Sequence, residues 1–149
     1  VDPSGKLGWK DSTLTYIDTT AHVIEVLTGR ASNAYKDFLR RLGISYILAG
    51  EVELDYGLAM RKLNELFGIE MLMLGGGAAL NWSFLQAGMC DEVSVVMAAA
   101  ADGSPSTQTL FMAKDGLSDD TPMGFELKDA KVMDGGSLWL RDLTKSKEG

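Results

Sequence analysis

Residues 74–81 read Leu74-Gly75-Gly76-Gly77-Ala78-Ala79-Leu80-Asn81. An apolar run, residues 70–74 (EMLML), leads straight into the glycines, and helix-forming residues follow at once. Glycine at a strand-to-helix turn lets the backbone take positive φ and come close to a ligand. The first amides of the helix then point outward, with the positive end of the helix dipole behind them, which suits phosphate. The spacing is not the G-x-G-x-x-G dinucleotide fingerprint, because the third glycine comes too early. No Lys-Ser/Thr pair follows to make a P-loop either. On spacing alone, the turn fits a bound phosphate and a tight, empty strand-to-helix connection equally well.

Working outward, the same rhythm occurs upstream. Residues 22–27 (HVIEVL) are a β-branched run that reads as a buried strand. Ser32 opens a helix in which Tyr35, Phe38, Leu39 and Leu42 recur at helical spacing, and Gly43 closes it. Residues 45–49 (SYILA) form the next strand, and Asp55 caps a second helix carrying Leu58, Leu63, Leu66 and Phe67, ended by Gly68. Residues 70–74 make a third strand. Beyond the glycines, a short helix through Leu80, Phe84 and Leu85 stops at Gly88, and residues 92–98 (EVSVVMA) give a fourth strand. Such alternation with short connections predicts an α/β fold with a mostly parallel sheet and right-handed crossovers. The nearly unbroken apolar strands imply helices on both faces.

After Ala99 the pattern changes. Residues 101–109 are polar and read as a loop. Residues 125–132 and 137–143 read as strands joined by Asp134-Gly135-Gly136, a C-terminal antiparallel hairpin. Asp119-Asp120 reads as a solvated loop and residues 145–149 as a frayed end. A length of 149 residues fits one domain, residues 1–149, with 46% apolar residues to build its core. The opening Val1-Asp2-Pro3-Ser4-Gly5-Lys6-Leu7-Gly8-Trp9 reads like the interior of a domain, one short strand and a turn, so further native sequence is expected upstream.

A net charge of −7 makes nucleic acid a poor partner. No apolar run reaches membrane-spanning length and no signal-peptide pattern opens the chain, so a cytoplasmic location is expected. A single cysteine excludes an intrachain disulfide and a cysteine-based zinc site.

Two further loops follow strands: Thr28-Gly29-Arg30 and Ala49-Gly50-Glu51. In open α/β sheets ligands gather at the carboxyl ends of strands, so these loops and the glycine turn together suggest a dinucleotide cleft. Arg30 is the base suited to a 2′-phosphate, favouring NADPH over NADH; it reads equally well as an ordinary solvated arginine. Other chemically suggestive residues read as structural. His22, the one histidine, begins a strand and suits a capping or surface role. Asp91 and Glu92, being adjacent on entry to a strand, point to opposite faces and cannot act together. Cys90 suits a small buried position, Trp9, Trp82 and Trp139 suit core or interface, and the eight scattered methionines are expected to fill the core. No catalytic residue is assigned.

The order of blocks resembles the RibD C-terminal domain family, the pyrimidine reductases of riboflavin synthesis. The resemblance is carried by residues 22–28 (HVIEVLT), Leu39-Arg40 with residues 43–50 (GISYILAG), Phe67-Gly68-Ile69, and residues 75–81 (GGGAALN). The most specific block is residues 84–94 (FLQAGMCDEVS), continued by Asp102-Gly103, Leu110-Phe111 and Trp139-Leu140-Arg141. This resemblance implies a dihydrofolate-reductase-like fold, a homodimer, NADPH as hydride donor, and a small-molecule substrate whose ribosyl group is reduced to ribityl. It places diphosphate contacts at Gly76, Gly77, Ala78, Ala79, Leu80 and Asn81, with Gly75 opening the turn. Thr28 and Arg30 match the region that meets the adenosine phosphate, and Gly50 and Glu51 match the loop beside the cofactor. Gly75 stands where the pathway enzymes carry a substrate-binding glutamate, and Trp82 where a small residue is common. The family's opening Ser-x-Asp-Gly strand is not matched. Besides a reductase, a non-catalytic nucleotide-binding module and an inactive fragment stay open. Thermal stabilisation by NADPH, with or without its oxidation, separates the three.

Overall fold

The structure, a computed structural model, describes residues 1–113 and 122–145; the Asp119-Asp120 loop and most of the frayed end lie outside them. The chain divides into two compact units, Val1–Leu72 and Met73–Gly149.

The first unit is built around a parallel pair, β3 (Ile24–Leu27) and β4 (Ser45–Leu48), in register from Ile24↔Ser45 to Leu27↔Leu48. The connection between them is helix α1 (Asn33–Leu42). Its ends follow the sequence signals: the Ser32 hydroxyl accepts from the Tyr35 amide at 3.1 Å, and Gly43 closes the helix in the left-handed conformation. Helix α2 (Tyr56–Phe67) repeats the device, with the Asp55 carboxylate accepting from the Leu58 amide at 2.8 Å and left-handed Gly68 at its end. Strand alternation decides which helix each side chain meets. Val23 and Leu27 join Ala31, Leu39 and Ile44 in one cluster, whereas Val26, Ile47 and Ala49 join Ala59 and Leu63 in another. Both faces of the parallel pair are therefore covered, as the unbroken apolar runs required. Leu66 and Phe67, read with Leu58 and Leu63 as apolar residues of α2, are exposed.

Ahead of this pair stands a hairpin absent from the sequence reading, β1 (Thr13–Tyr16) with β2 (Thr19–His22). His22 ends β2, so the run of residues 22–27 is split; the Val23 amide between the strands bonds to the Ser12 carbonyl at 2.8 Å. Residues 1–3 lie along β3, with Asp2 N–H donating to the Val26 carbonyl and Thr28 N–H to the Pro3 carbonyl, each at 3.0 Å.

The second unit holds α3 (Ala78–Gln86), β5 (Glu92–Met97), β6 (Phe125–Val132) and β7 (Leu138–Thr144). Its sheet runs β5-β7-β6 and is antiparallel throughout. The C-terminal hairpin forms as expected, turning through Asp134, Gly135 and Gly136. The mostly parallel sheet does not: β3–β4 is the one parallel pair among the described residues, and the other pairings are antiparallel. The reason lies at residues 70–74, which form no strand; Met71 and Met73 are 89% and 90% exposed.

Candidate functional site

In the first unit, the expected residues meet at the carboxyl ends of β3 and β4. Ala49 N–H bonds to the Leu27 carbonyl at 2.8 Å and Gly29 N–H to the Gly50 carbonyl at 2.9 Å, so the two loops leave the strands side by side. Thr28 is fully buried. Its hydroxyl donates to the Pro3 carbonyl at 2.7 Å and accepts from the Arg30 amide at 3.3 Å, so it fixes the loop and has little left for a ligand. Gly50 has φ +103°, and a Cβ there would stand 2.0 Å from the Glu53 carbonyl oxygen, which makes glycine obligatory. A Cβ on Gly29 would stand 2.7 Å from Glu51 Oε2 and 2.9 Å from the Glu51 carbonyl oxygen. Thus Glu51 folds back over Gly29. The side chains of Arg30 and Glu51 are exposed, and among the described residues neither makes an ion pair or side-chain hydrogen bond.

In the second unit, Gly77 is the residue before the first turn of α3, and no side chain caps that turn. Gly76 has φ +91° and the Gly76–Gly77 peptide is cis. A Cβ at Gly75 or Gly77 would meet nothing within 4 Å, so the approach to the helix start is open. The amides of Ala78, Ala79 and Leu80 have no intrahelical acceptor by the geometry of a helix start. Ala78 itself is buried. The Asn81 side chain turns sideways, donating to the Leu110 carbonyl at 3.1 Å, and Met112 N–H bonds to the Ala78 carbonyl at 3.2 Å. These bonds tie residues 110–112 to the first turn of α3.

Several of the residues set aside as structural have structural partners, but the methionines do not fill the core: Met71, Met73, Met89, Met97, Met112 and Met133 are all exposed. Glu92 binds Arg141 at 2.7 Å and Lys128 at 2.6 Å, and these two hydrogen-bonded cations hold its carboxyl down to about 2. Cys90 Sγ donates to the Glu92 carbonyl at 3.4 Å, and burial pushes its thiol up, away from reactivity. His22 is exposed, with Nε2 3.0 Å from Ser45 Oγ. Trp139 donates to Ser94 Oγ at 2.9 Å beneath the Arg141 guanidinium, whereas the buried indole nitrogen of Trp82 has no partner among the described residues.

One buried polar group escaped the sequence reading. Glu25, 1% exposed, faces the α1 side of β3, where Trp9 Nε1 donates to its Oε2 and Oε1 has no partner. Burial pushes its carboxyl up, against the lowering effect of the Trp9 bond. Nearby, Asp2 accepts from the amides of Lys6 and Leu7 and from the Tyr35 hydroxyl, which is pushed up to about 12, chiefly by burial. The signal was visible: a lone carboxylate in the middle of an apolar β-branched run.

A parallel pair with crossover helix, loops gathered at its carboxyl end and an uncapped helix beginning at a glycine turn place the chain in the α/β class whose ligands meet strand ends and helix starts. The sequence profile of the RibD C-terminal domain matches residues 5–139, and the chain belongs to that family. It is similar to two proteins described as 2,5-diamino-6-ribosylamino-4(3H)-pyrimidinone 5′-phosphate reductase. The one from Methanothermobacter thermautotrophicus is 41% identical over 64 residues, 43% of this chain and 29% of that protein. The one from Aquifex aeolicus is 30% identical over 92 residues, 60% of this chain and 40% of that protein. Among solved structures, the fold is similar to a pyrimidine reductase-like protein of Corynebacterium diphtheriae, with TM-score 0.70 at 17% identity over 83% of this chain and 50% of that one. It is also similar to RibD of Acinetobacter baumannii, with TM-score 0.60 at 22% identity over 80% of this chain and 31% of that one. The chain thus spans less than half the length of these two relatives and at most half that of the two solved chains. No helix among the described residues is long and apolar enough to cross a membrane.

Proposed function

We propose that this chain is the nicotinamide-dinucleotide-binding part of a reductase that uses NADPH to reduce a small heterocyclic or ribosyl substrate. In this it resembles 5-amino-6-(5-phosphoribosylamino)uracil reductase of riboflavin synthesis. The observation that carries the reading is the open, uncapped start of α3 behind Gly75, Gly76 and Gly77. There the amides from Gly77 to Leu80 would receive a diphosphate, and the helix dipole would favour its charge. By the family resemblance, Thr28 and Arg30 belong to the region that meets the adenosine phosphate, and Gly50 and Glu51 to the loop beside the cofactor. When bound, the dihydronicotinamide supplies the hydride, and the chain has to position it and exclude water. A cytoplasmic homodimer acting on a small molecule completes the proposal.

The test is a calorimetric titration with NADPH, followed by a spectrophotometric assay of NADPH oxidation with the ribosylaminopyrimidine phosphate. Binding with oxidation is expected. Absence of binding overturns the reading. Binding without turnover supports the second reading, a non-catalytic nucleotide-binding module, which is favoured by Gly75 standing where the pathway enzymes carry a substrate-binding glutamate.

A further inference from the structure

The end of the parallel pair carries opposite charges on adjacent loops. Arg30 follows Gly29 at the end of β3, and Glu51 follows Gly50 at the end of β4. The Gly29–Gly50 hydrogen bond of 2.9 Å clamps the loops together, and Glu51 Oε2 lies close to Gly29, at the strand end. Capping of a helix cannot explain Glu51, because Asp55 does that for α2. Nor can an ion pair, since it makes none among the described residues. An exposed, unneutralised carboxylate where ligands collect is suited to recognition. In dinucleotide sites an acidic side chain at a strand end accepts the ribose hydroxyls, whereas a nearby arginine accommodates a 2′-phosphate. This chain presents both.

We propose that Glu51 is a specificity-determining residue that accepts the ribose diol of the cofactor and opposes a 2′-phosphate, against the attraction of Arg30. The inference rests on the dinucleotide reading above. A 2′-phosphate brings about two negative charges close to the carboxylate. NADPH and NADH are therefore held with similar affinity, within about tenfold, on the scale where ~1.4 kcal/mol is a factor of ten. Glu51→Gln keeps the shape and hydrogen-bonding capacity but removes the charge, and it widens the preference for NADPH by about tenfold or more. Arg30→Gln moves the preference the other way.

The experiment is calorimetric titration of the wild-type chain, Glu51→Gln and Arg30→Gln with NADPH and NADH. A parallel series uses adenosine 2′,5′-bisphosphate and 5′-AMP, which probe the adenosine end alone. Circular dichroism melting of each variant verifies folding; both side chains are exposed and unpaired, so melting temperatures close to wild type are expected. The expected result is a ratio of affinities that moves in opposite directions in the two variants, in both ligand series. Binding of both cofactors with a ratio that Glu51→Gln leaves unchanged overturns this inference and leaves the dinucleotide reading standing. Failure of all four ligands to bind wild type overturns both.

Discussion

Gly50 and Gly75 are glycines for different reasons, and substitution separates them. At Gly50 the backbone has φ +103° and an added methyl would strike the Glu53 carbonyl, so Gly50→Ala must move the turn that carries Glu51. Positive φ and overpacking together cost about 2–4 kcal/mol. Chemical denaturation is expected to show that loss, and cofactor affinity should fall with it because the Gly29–Gly50 bond is displaced. Gly75 lacks a positive φ and has open space at its Cβ, so its backbone does not demand glycine. Gly75→Glu, which restores the residue type of the pathway enzymes, is expected to leave stability within about 0.5 kcal/mol of wild type. A larger loss in the same denaturation experiment would show that the open space is not available to a side chain. Residue chemistry made the glycine turn readable at once. It left Glu25 unread although a lone carboxylate in an apolar run was visible, because its role depends on Trp9, 16 residues away in sequence.

At the scale of elements, legibility followed local chemistry. Helices α1 and α2 begin at the Ser32 and Asp55 caps and end at left-handed Gly43 and Gly68, because caps and stops are written in adjacent residues. Ser32→Ala removes the acceptor for the Tyr35 amide and is expected to cost about 1 kcal/mol. A thermal melt of that variant by circular dichroism checks it, and an unshifted melt would mean that the cap contributes nothing. The β1–β2 hairpin was hidden for the opposite reason. Its turn passes through Ile17 at φ 53°, a conformation that sequence reasoning reserves for glycine or asparagine. Residues 70–74 misled in another way: an apolar run states what could be buried, and pairing needs an edge that local sequence does not specify. The antiparallel partnership of β5 with β7 was out of reach likewise. The bonds from Glu92 to Arg141 and from Glu92 to the bulge residue Lys128 join positions 49 and 36 residues apart.

Over the whole molecule, the two buried or paired glutamates give each unit its own response to pH. Glu92 in the second unit is held at about 2, below the ordinary carboxylate value of 4.5, by Arg141 and Lys128. Its contribution to stability is therefore complete above about 4.5 and is lost as the pH falls towards 2. Glu25 in the first unit is shifted the other way, raised above 4.5 by burial, so the folded state favours its protonated form. The stability that it confers is present below 4.5 and declines as the pH rises through the raised value. Amide hydrogen exchange reads the units separately: Val26 and Ile47 report on the first, Val95 and Leu140 on the second. Acidification from pH 5 to pH 2 is expected to speed exchange at Val95 and Leu140, beyond its intrinsic pH dependence, in wild type and not in Glu92→Gln. Alkalinisation from pH 5 to pH 8 is expected to weaken protection at Val26 and Ile47 in wild type, and Glu25→Gln, which stays neutral throughout, should flatten that slope. If Glu25→Gln kept the wild-type slope, the buried carboxylate would not be the group that titrates. Protection lost equally in both units on acidification, and unchanged by Glu92→Gln, would remove the three-strand charge network as its cause.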